Sequence, residues 1–312
     1  MTPLRNLDLI SFDLNNSMST SAETKLAELI GSNLKIERIL VDDILINFVV
    51  SGSGPNLLLL HGLNMGWGQW YPNIREFSRH FRVYAVDFPG AGGSTKIHPR
   101  TINFERHLVG SLEEFIRIKN LTPLNILGHS IGGWVALRLV LRKRSMINKI
   151  ILVSPLGFSE RTPWRYRLLG IHFLAQLLAR TVMRHSRSNM KKFTESVFHD
   201  VSTLKEEFVD YYYESTRGSI INHPFLFLNR LAGFLKVRKE FVLLDELSKV
   251  GIPTLVILGE KDPIVSPTKK QSEAFGLIPA AQVEIFLNTG HVPSTEKSEE
   301  FNKLVIHFLK SN

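Results

Sequence analysis

The stretch that decides the fold is Leu127-Gly128-His129-Ser130-Ile131-Gly132-Gly133. The short apolar segment before it, residues 124–127, predicts a buried strand, and the apolar, helix-forming segment 134–141 follows it. The serine between them has a glycine two residues before it and another two residues after it, which is the pattern G-x-S-x-G. Such a turn exposes the serine hydroxyl at a helix N-terminus, where the next backbone N–H can face a developing negative charge. An ordinary strand-to-helix turn can carry the same five residues, so the rest of the chain must decide.

The composition bounds the class of protein. With 312 residues the chain is long enough for one large α/β domain with an insertion, and its 44% hydrophobic residues are typical of globular proteins. It contains no cysteine, and no pair of histidines has the spacing of metal ligands, so we expect neither a metal nor a cofactor. The formal charge is +9, but no nucleic-acid-binding motif accompanies it. The basic residues therefore predict a solvated surface and not a nucleic-acid interface.

Apolar segments of strand length alternate with helical patterns along most of the chain. Besides the strand before the serine, strands are predicted at residues 35–41, 44–50, 56–60, 82–86, 149–153, 253–258 and 282–287. Helices are predicted at residues 69–79, 102–119, 267–275 and 296–309, in addition to the one after the serine. Strands separated by single helices predict a mainly parallel sheet with helices on both faces.

The alternation stops between residues 157 and 245, where the sequence is aromatic, basic and helical. This block predicts a helical cap inserted into a catalytic domain made of residues 34–156 and 246–312. Residues 1–33 are rich in Ser, Asn and Thr and are expected to be a loosely attached extension with one short helix near residues 22–30. The apolar run 168–179 is too short to span a bilayer, and residues 1–33 lack a secretory apolar core, so we expect a soluble, cytoplasmic protein.

Two further polar residues follow strands on the C-terminal side of the serine. A serine hydroxyl is a poor nucleophile that needs a base to take its proton and a carboxylate to orient that base. Asp262 lies on the loop after the strand 253–258, and His291 lies on the loop after the next strand. Because parallel strands end at one edge of a sheet, these loops should meet there. We predict Ser130 as nucleophile, His291 as general base and Asp262 as the orienting acid.

Other ionisable residues near these loops have weaker claims to a catalytic role. Glu260 is the alternative acid, although it stands two residues from the usual place. His61 and Asp87 are predicted to be structural, because better candidates exist for the base and the acid. His129 is expected to help hold the turn and not to act as base, because its side chain must point away from that of Ser130.

These motifs together resemble those of the α/β-hydrolase superfamily, from about residue 34 to the C-terminus. The segments that carry the resemblance are His61-Gly62, Asp87-Phe88-Pro89-Gly90, the Ser130 turn, the Asp262 loop and Gly290-His291, and the order Ser, Asp, His agrees with it. The resemblance implies an α/β-hydrolase fold, with a mainly parallel central sheet, helices on both faces and an inserted α-helical cap. It also implies an oxyanion hole made by the backbone N–H groups of Leu63 and Ile131.

The resemblance also narrows the chemistry. Epoxide hydrolases and haloalkane dehalogenases of this superfamily have an aspartate where this chain has Ser130, whereas a serine suits acyl transfer. We therefore expect a small-molecule carboxylic ester as substrate and an acyl-enzyme intermediate. The alternative is a carbon–carbon bond hydrolase of vinylogous diketones, which the C-terminal stretch and the cap resemble. That group commonly has asparagine and tryptophan where this chain has His129 and Val292. A third hypothesis is a non-hydrolysing ligand receptor on the same fold.

The cap sequence raises two more hypotheses. We expect the cap to shape the acyl pocket, with Phe173 and Leu177 as residues that set its length. Its basic residues, with no Asp or Glu between them, are Arg161, Arg165, Arg167, Arg180, Arg184, Arg187, Lys191 and Lys192. Apolar residues recur at helical spacing among them, at Ile171, Leu174, Leu178 and Val182. The favoured interpretation is that this apolar face packs on the catalytic domain, and the alternative is that it contacts an anionic membrane surface or attracts an acidic substrate.

Overall fold

A computed structural model describes residues 20–31, 33–98, 100–181, 184–216, 224–268, 273–279 and 281–311. Its centre is an eight-stranded sheet. The strands are β1 (Lys35–Val41), β2 (Ile44–Ser51), β3 (Asn56–Leu60), β4 (Arg82–Val86), β5 (Leu124–His129), β6 (Ile147–Val153), β7 (Thr254–Gly259) and β8 (Gln282–Phe286). They lie in the order β1-β2-β4-β3-β5-β6-β7-β8. Only the pairs that β2 forms with β1 and β4 are antiparallel, and all the others are parallel. The predicted fold class is confirmed.

Helices cover both faces of the sheet. The α-helices are α1 (Ser21–Ile30), α2 (Ile74–Phe77), α3 (Ser111–Ile118), α4 (Ile131–Lys143), α5 (His172–Arg180), α6 (Arg187–Glu195), α7 (Glu206–Thr216), α8 (Pro224–Leu231), α9 (Pro293–Glu296) and α10 (Ser298–Lys310). One apolar core lies under α3 and α4, and a second lies under α1, α2 and α10. Strands β5 and β7 are buried at every position because apolar side chains from both cores cover them, as expected for parallel strands. None of the helices formed by the described residues is long and apolar enough to cross a membrane.

Shorter helical segments complete the chain. The 3₁₀ segments are Trp67–Trp70, Arg144–Met146, Trp164–Tyr166, Leu168–Gly170, Val201–Thr203, Lys239–Phe241 and Leu244–Lys249, and Glu105–Gly110 forms a π-helix. The helix predicted at 69–79 is in fact a 3₁₀ turn and α2, separated around Pro72, which has no N–H to continue a helix. The helix predicted at 296–309 corresponds to α10, which begins at Ser298 because the φ of −134° at Lys297 is not helical. Part of the helix predicted at 267–275 lies outside the described residues.

The block between β6 and β7, for which we keep the name cap, contains the helices α5 to α8. Among its described residues no strand occurs, and two isolated bridges join Arg161 to Lys236 and Ala232 to Val237. Helix α5 packs on α8, and its buried positions are the small residues Ala175 and Ala179, whereas Ile171 just before the helix is exposed. The favoured expectation, that the apolar face of residues 171, 174, 178 and 182 packs on the catalytic domain, is therefore wrong for Ile171. Val182 lies outside the described residues.

The first described helix is firmly attached. Thr20 caps α1 by accepting a hydrogen bond from the N–H of Glu23 at 3.1 Å, and Gly31 ends the helix with a φ of 60°. Leu26 is fully buried, and α1 packs on α7 of the cap. The expectation of a loosely attached extension is therefore wrong for residues 21–30, whereas residues 1–19 lie outside the described part of the chain.

A buried polar cluster holds α1 to the sheet. The carboxylate of Glu23 accepts hydrogen bonds from the indole N–H of Trp67 at 2.7 Å and from the amide of Asn47 at 3.0 Å. The same amide donates to Asp87 at 2.8 Å, so it stands between two carboxylates. Burial raises the pKa of Glu23, and the nearby charge of Asp87 raises it further. Glu23 therefore stabilises the cluster as a hydrogen-bond acceptor, whereas its buried negative charge destabilises it.

This cluster predicts opposite effects for two substitutions of Glu23. Glu23→Ala removes the acceptor and should lower the free energy of unfolding by about 1–3 kcal/mol, because two buried donors lose their partner. Glu23→Gln keeps an acceptor oxygen and removes the charge, so at neutral pH it should unfold at the same or a higher urea concentration than the wild type.

The pH dependence tests the physical cause. Because the folded pKa of Glu23 is raised, the wild type binds this proton more tightly when folded, and the cost of its charge disappears as the pH falls below the ordinary glutamate value of 4.5. Any advantage of Glu23→Gln should therefore vanish in acid. An advantage that is constant or grows as the pH falls would contradict this account.

Candidate active site

The serine turn is held by close backbone contacts. Ser130 connects β5 to α4 with a φ of 53° and a ψ of −112°, a conformation that L-residues rarely adopt. A Cβ on Gly128 would lie 2.3 Å from the carbonyl oxygen of Gly132, and a Cβ on Gly132 would lie 2.3 Å from that of Leu60. Both glycines are therefore required for α4 to start this close to β3 and β5.

His291 and Asp262 form a buried pair at the carboxyl ends of β8 and β7. The Nδ1 atom of His291 lies 2.8 Å from Oδ2 of Asp262, and both side chains are almost fully buried. Oδ1 of Asp262 accepts hydrogen bonds from the N–H groups of Ile264 at 2.7 Å and Val265 at 2.9 Å. Burial alone would raise the pKa of Asp262, but the attraction to His291 and these hydrogen bonds outweigh it and lower the pKa. An ionised carboxylate thus orients the imidazole.

Ser130 and His291 line the same cavity, whose volume is about 100 Å³. Leu63 and Ile131, which were predicted as oxyanion-hole residues, line it as well. The cap covers the remaining wall with side chains that are mostly apolar, including Tyr166, Phe193, Leu228, Leu231 and Val237. The structure therefore places the predicted nucleophile and base against a space with an apolar lining.

Two cap residues are not where the sequence predicted them. Phe173 and Leu177 were expected to shape the pocket, but neither lines the cavity, and Phe173 is 71% exposed. The reason is the orientation of α5, whose inward face carries Ala175 and Ala179. The expectation that Phe173 and Leu177 shape the pocket and set its length is therefore wrong.

The alternative acid Glu260 and the polar residues His61 and Asp87 have other partners in the structure. Glu260 lies at the surface, where its carboxylate accepts a hydrogen bond from the N–H of Asn288 at 2.9 Å. The Nε2 atom of His61 accepts from the N–H of Phe88 at 2.9 Å. Asp87 belongs to the buried cluster beneath α1 that was described above. Each of these side chains accepts a hydrogen bond from a backbone N–H, which is a structural contact.

His129 supports the loop that carries His291, which we call the histidine loop. Its Nε2 atom donates a hydrogen bond to the carbonyl oxygen of His291 at 2.8 Å. Burial lowers the pKa of His129 to about 3, with a further contribution from His291, so the ring is neutral at physiological pH. A Cβ on Gly62 would lie 2.5 Å from its Nδ1 atom, so this ring also requires the glycine after His61.

One important residue was missed by the sequence analysis. The carboxylate of Glu296 accepts hydrogen bonds from the N–H of Gly290 at 2.9 Å, next to His291, and from the N–H groups of His199 and Asp200 in the cap at 2.8 and 2.9 Å. Burial raises the pKa of Glu296, although these backbone donors oppose the shift. The only signal in the sequence was an acidic residue in the first turn after Pro293, which is also an ordinary helix start.

The cap also contacts the histidine loop through the backbone. The N–H of His291 donates to the carbonyl oxygen of Val197 at 2.8 Å. Together with Glu296, this bond fixes the loop against the segment that follows α6. Among the described residues, no three histidine, aspartate or glutamate side chains lie close enough together to hold a metal ion.

Comparisons with known proteins agree with this geometry. A family model for the alpha/beta hydrolase fold matches residues 55–298. The pimeloyl-[acyl-carrier protein] methyl ester esterase of Vibrio cholerae is 28% identical over 271 residues, which are 83% of this chain and 96% of that esterase. Epoxide hydrolase 3 of Xenopus tropicalis is 26% identical over 284 residues, which are 85% of this chain and 75% of that enzyme.

Two solved structures show the same fold. A membrane phospholipase A described as a bacterial virulence factor superposes with a TM-score of 0.75 at 24% identity, covering 93% of this chain and 89% of that one. A carboxylesterase of Bacillus subtilis superposes with a TM-score of 0.74 at 21% identity, covering 93% and 96%. The predicted superfamily is confirmed, and with it the prediction of a hydrolase. The strand order, the serine turn and the family match over residues 55–298 lead to one conclusion: the chain belongs to the α/β-hydrolase fold family.

Proposed function

We propose that this protein is a serine hydrolase that cleaves carboxylic esters through an acyl-enzyme intermediate. The observation that carries the proposal is the buried pair of His291 and Asp262, whose histidine lines one apolar cavity together with Ser130. Esterases among the relatives, including the pimeloyl ester esterase of Vibrio cholerae, support the same reaction class. A serine beside such a pair is the arrangement that acyl transfer needs.

The proposed mechanism follows from the hydrogen bonds. Because Nδ1 of His291 is directed at Asp262, its Nε2 atom remains to take the proton of Ser130. The serine oxygen then attacks the ester carbonyl carbon, the tetrahedral intermediate collapses, and His291 gives the proton to the departing alcohol. Water, deprotonated by the same histidine, attacks the acyl-enzyme, which releases the carboxylic acid and restores Ser130.

The oxyanion hole is proposed on two backbone N–H groups. Ile131 is the first residue of α4, so its N–H belongs to the turn that has no intrahelical acceptor. Leu63 follows β3, the strand that pairs with β5, and lines the same cavity. Each such donor typically contributes about 10²–10³ in rate.

The lining of the cavity beside Ser130, which we call the acyl cavity, favours an ester with an apolar acyl group. Among the described residues no Asp, Glu, Lys or Arg side chain lines it, so an acyl group with a charge would be buried there without a partner. The carbon–carbon bond hydrolase and the receptor remain the alternatives. A ring-cleavage diketone among the test substrates tests the first alternative, because a carbon–carbon bond hydrolase would cleave it. Catalytic turnover of any substrate would exclude the receptor.

The catalytic assignment predicts a large loss of ester turnover for variants of Ser130 and Asp262, but not for a variant of Glu260. Ser130→Ala should reduce turnover of p-nitrophenyl esters by about 10⁴-fold or more. Asp262→Asn should reduce kcat by about 10³- to 10⁴-fold, because the imidazole loses the partner that fixes its tautomer. Glu260→Gln is the matched control on the same loop and should keep kcat close to that of the wild type.

Circular dichroism of each variant shows whether the fold is intact before kinetics are compared. A folded Ser130→Ala protein with normal turnover would refute the nucleophile. A crippled Glu260→Gln enzyme beside an active Asp262→Asn enzyme would show that the acid had been assigned wrongly.

We also propose that the cap determines the acyl length. Leu228 on α8 lines the cavity and is only half-buried, so truncating it opens space with little damage to the core. Leu228→Ala should raise kcat/KM for octanoate relative to butyrate esters, by about four-fold for each additional methylene that becomes buried. Phe173→Ala is the control, because Phe173 is on the cap but does not line the cavity. An equal shift of the octanoate-to-butyrate ratio in both variants would count against this role of Leu228.

The outer surface of the cap supports a second proposal, contact with an anionic membrane surface. We define the outer cap patch as the exposed apolar residues Trp164, Leu168, Phe173, Phe234 and Leu235. The exposed Arg161 and Lys236 pair as a bridge beside it. The N–H of Thr162 donates to the carbonyl of Leu235 at 3.0 Å, which joins the two segments of the patch. Arg187 and Lys191 are less available, because both form ion pairs with Glu206.

The location of the outer cap patch fits delivery of a lipid ester. Trp164 is 73% exposed, whereas its neighbours Pro163 and Tyr166 line the acyl cavity. Aromatic side chains with basic neighbours favour the interface of an anionic bilayer. A membrane that touched Trp164 would therefore lie next to residues of the cavity wall.

Vesicle binding tests this second proposal. The wild type should co-sediment with anionic vesicles more than with phosphatidylcholine vesicles, and the binding should weaken as salt rises. Trp164→Ser should reduce the binding, because a large interfacial side chain is lost, whereas Leu40→Ser on β1 should not, although Leu40 is also an exposed apolar residue. Absence of binding to anionic vesicles at low salt, or equal losses in both variants, would refute the proposal.

A further inference from the structure

A second cavity, of about 360 Å³, lies against the cap helices α5 and α8. Helix α8 faces both cavities: Leu228 and Leu231 line the acyl cavity, whereas Asn229 and Arg230 line the second one. The two cavities therefore share a wall but differ in chemistry. No part of the proposed ester hydrolysis uses the second cavity.

The second cavity is strongly basic. Its charged and ionisable lining consists of Arg100, Arg180, Arg230, Arg238, His98 and His172. No Asp or Glu lines it, and within the described part of the chain none of these four arginines forms an ion pair. Four positive side chains around one space repel one another unless an anion joins them.

Two other arginines of the described structure contact two carboxylates each. Arg138 contacts both Glu105 and Glu246, and Arg187 contacts both Glu206 and Asp210. The four arginines of the basic cavity differ from Arg138 and Arg187, because no described carboxylate pairs with them. Within the part of the chain that the structure describes, no acidic side chain of the cavity wall balances this positive charge.

The walls of the basic cavity are fixed by a hydrogen-bonded frame. The buried amide of Asn229 donates to the carbonyl oxygen of Leu169 at 2.7 Å, and its oxygen lies 3.0 Å from Nδ1 of His172. With Nδ1 as the donor in that bond, the lone pair of Nε2 on His172 can accept from Arg100 at 3.1 Å or from Gln176 at 3.0 Å. One guanidinium is thus already oriented by contacts within the protein.

Two other guanidinium groups have buried donors without an acceptor. The Nε atoms of Arg230 and Arg238 are both shielded from solvent, and neither has a hydrogen-bond partner among the described residues. A buried donor that lacks an acceptor costs about 1–3 kcal/mol, and more when it is charged. An anion in the cavity would meet the outer guanidinium nitrogens of these arginines, and by neutralising their positive charge it would offset this cost.

We propose that the basic cavity binds a phosphate group. A guanidinium offers parallel N–H donors whose geometry matches two phosphate oxygens, and several guanidiniums can share one phosphate. A phosphate group provides more acceptor oxygens than a carboxylate and can carry a second negative charge, so it suits four arginines better. Bound phosphate would also connect the cap to Arg100, which lies on the loop after β4 in the catalytic domain.

The test is calorimetric titration of the whole protein with inorganic phosphate, with sodium chloride used to keep the ionic strength constant. The wild type should bind phosphate, and bound phosphate should raise its Tm. The double variant Arg180→Gln/Arg230→Gln should lose about ten-fold or more in affinity, because each arginine can supply a charged hydrogen bond. Neither side chain forms a hydrogen bond or ion pair within the described structure, so the variant should keep its Tm without phosphate.

A matched control removes two positive charges elsewhere. Lys143→Gln/Lys192→Gln alters two exposed lysines that lie outside the cavity, and it should bind phosphate as the wild type does. Equal losses in the two double variants would mean general charge attraction and would overturn the proposal. Absence of phosphate binding by the wild type would also overturn it, unless the phosphate compounds below bind through the same arginines.

Two soluble compounds separate the sources of the phosphate. Glycerol 3-phosphate and a short-chain phosphatidic acid are titrated in the same way. Tighter binding of the short-chain lipid than of inorganic phosphate, lost in Arg180→Gln/Arg230→Gln, would identify a lipid headgroup. Equal binding of all three compounds, also lost in that variant, would identify a site for free phosphate. Because ester turnover is not the readout, failure of the proposed hydrolase activity would leave these results unaffected.

Discussion

The backbone contact at the start of α4 is the constraint on which the rest of the site depends. Gly132 lies so close to Leu60 that any side chain would collide with the carbonyl oxygen of the neighbouring strand. This approach places the first turn of α4 beside the loop that follows β3. Ser130, Ile131 and Leu63 can therefore share one small cavity, although β3 and β5 are far apart in the sequence.

The histidine loop is fixed from several sides. Asp262 orients the ring, His129 holds the carbonyl oxygen of His291, and Glu296 holds the N–H before it. The cap contributes through Val197, whose carbonyl accepts the N–H of His291. In the proposed mechanism His291 transfers a proton within hydrogen-bond distance, and such restraint would favour that step because small displacements reduce the rate strongly. The cap is therefore part of what positions this histidine and also a wall of the pocket.

Several parts of this arrangement could be predicted from the sequence because they depend on order and not on detailed packing. Alternating strands and helices imply parallel strands, and parallel strands end at one edge, which brings the loops of Asp262 and His291 together. The contact between these two residues is present in the structure at 2.8 Å. Their catalytic roles remain proposals that the kinetic experiments must test.

Other parts could not be predicted because they depend on tertiary packing. Helical spacing places Phe173 and Leu177 on one side of α5, but it does not say whether that side or the alanine side faces inward. The contacts of Glu296 join residues that lie far apart in the sequence, since its partners in the cap are about a hundred positions away. Such contacts leave no local pattern, and a buried glutamate looks like any residue of a helix start.

The distribution of charge explains why the basic cavity is informative. The chain has 38 Lys and Arg against 29 Asp and Glu, so some positive side chains must lack a partner. Most proteins place such unpaired charges apart on the surface, where water screens them. Here four arginines face one cavity, and two of them have buried Nε atoms without an acceptor among the described residues. Because the mutual repulsion of these positive charges opposes folding, a bound anion is the physical condition under which the arrangement becomes favourable.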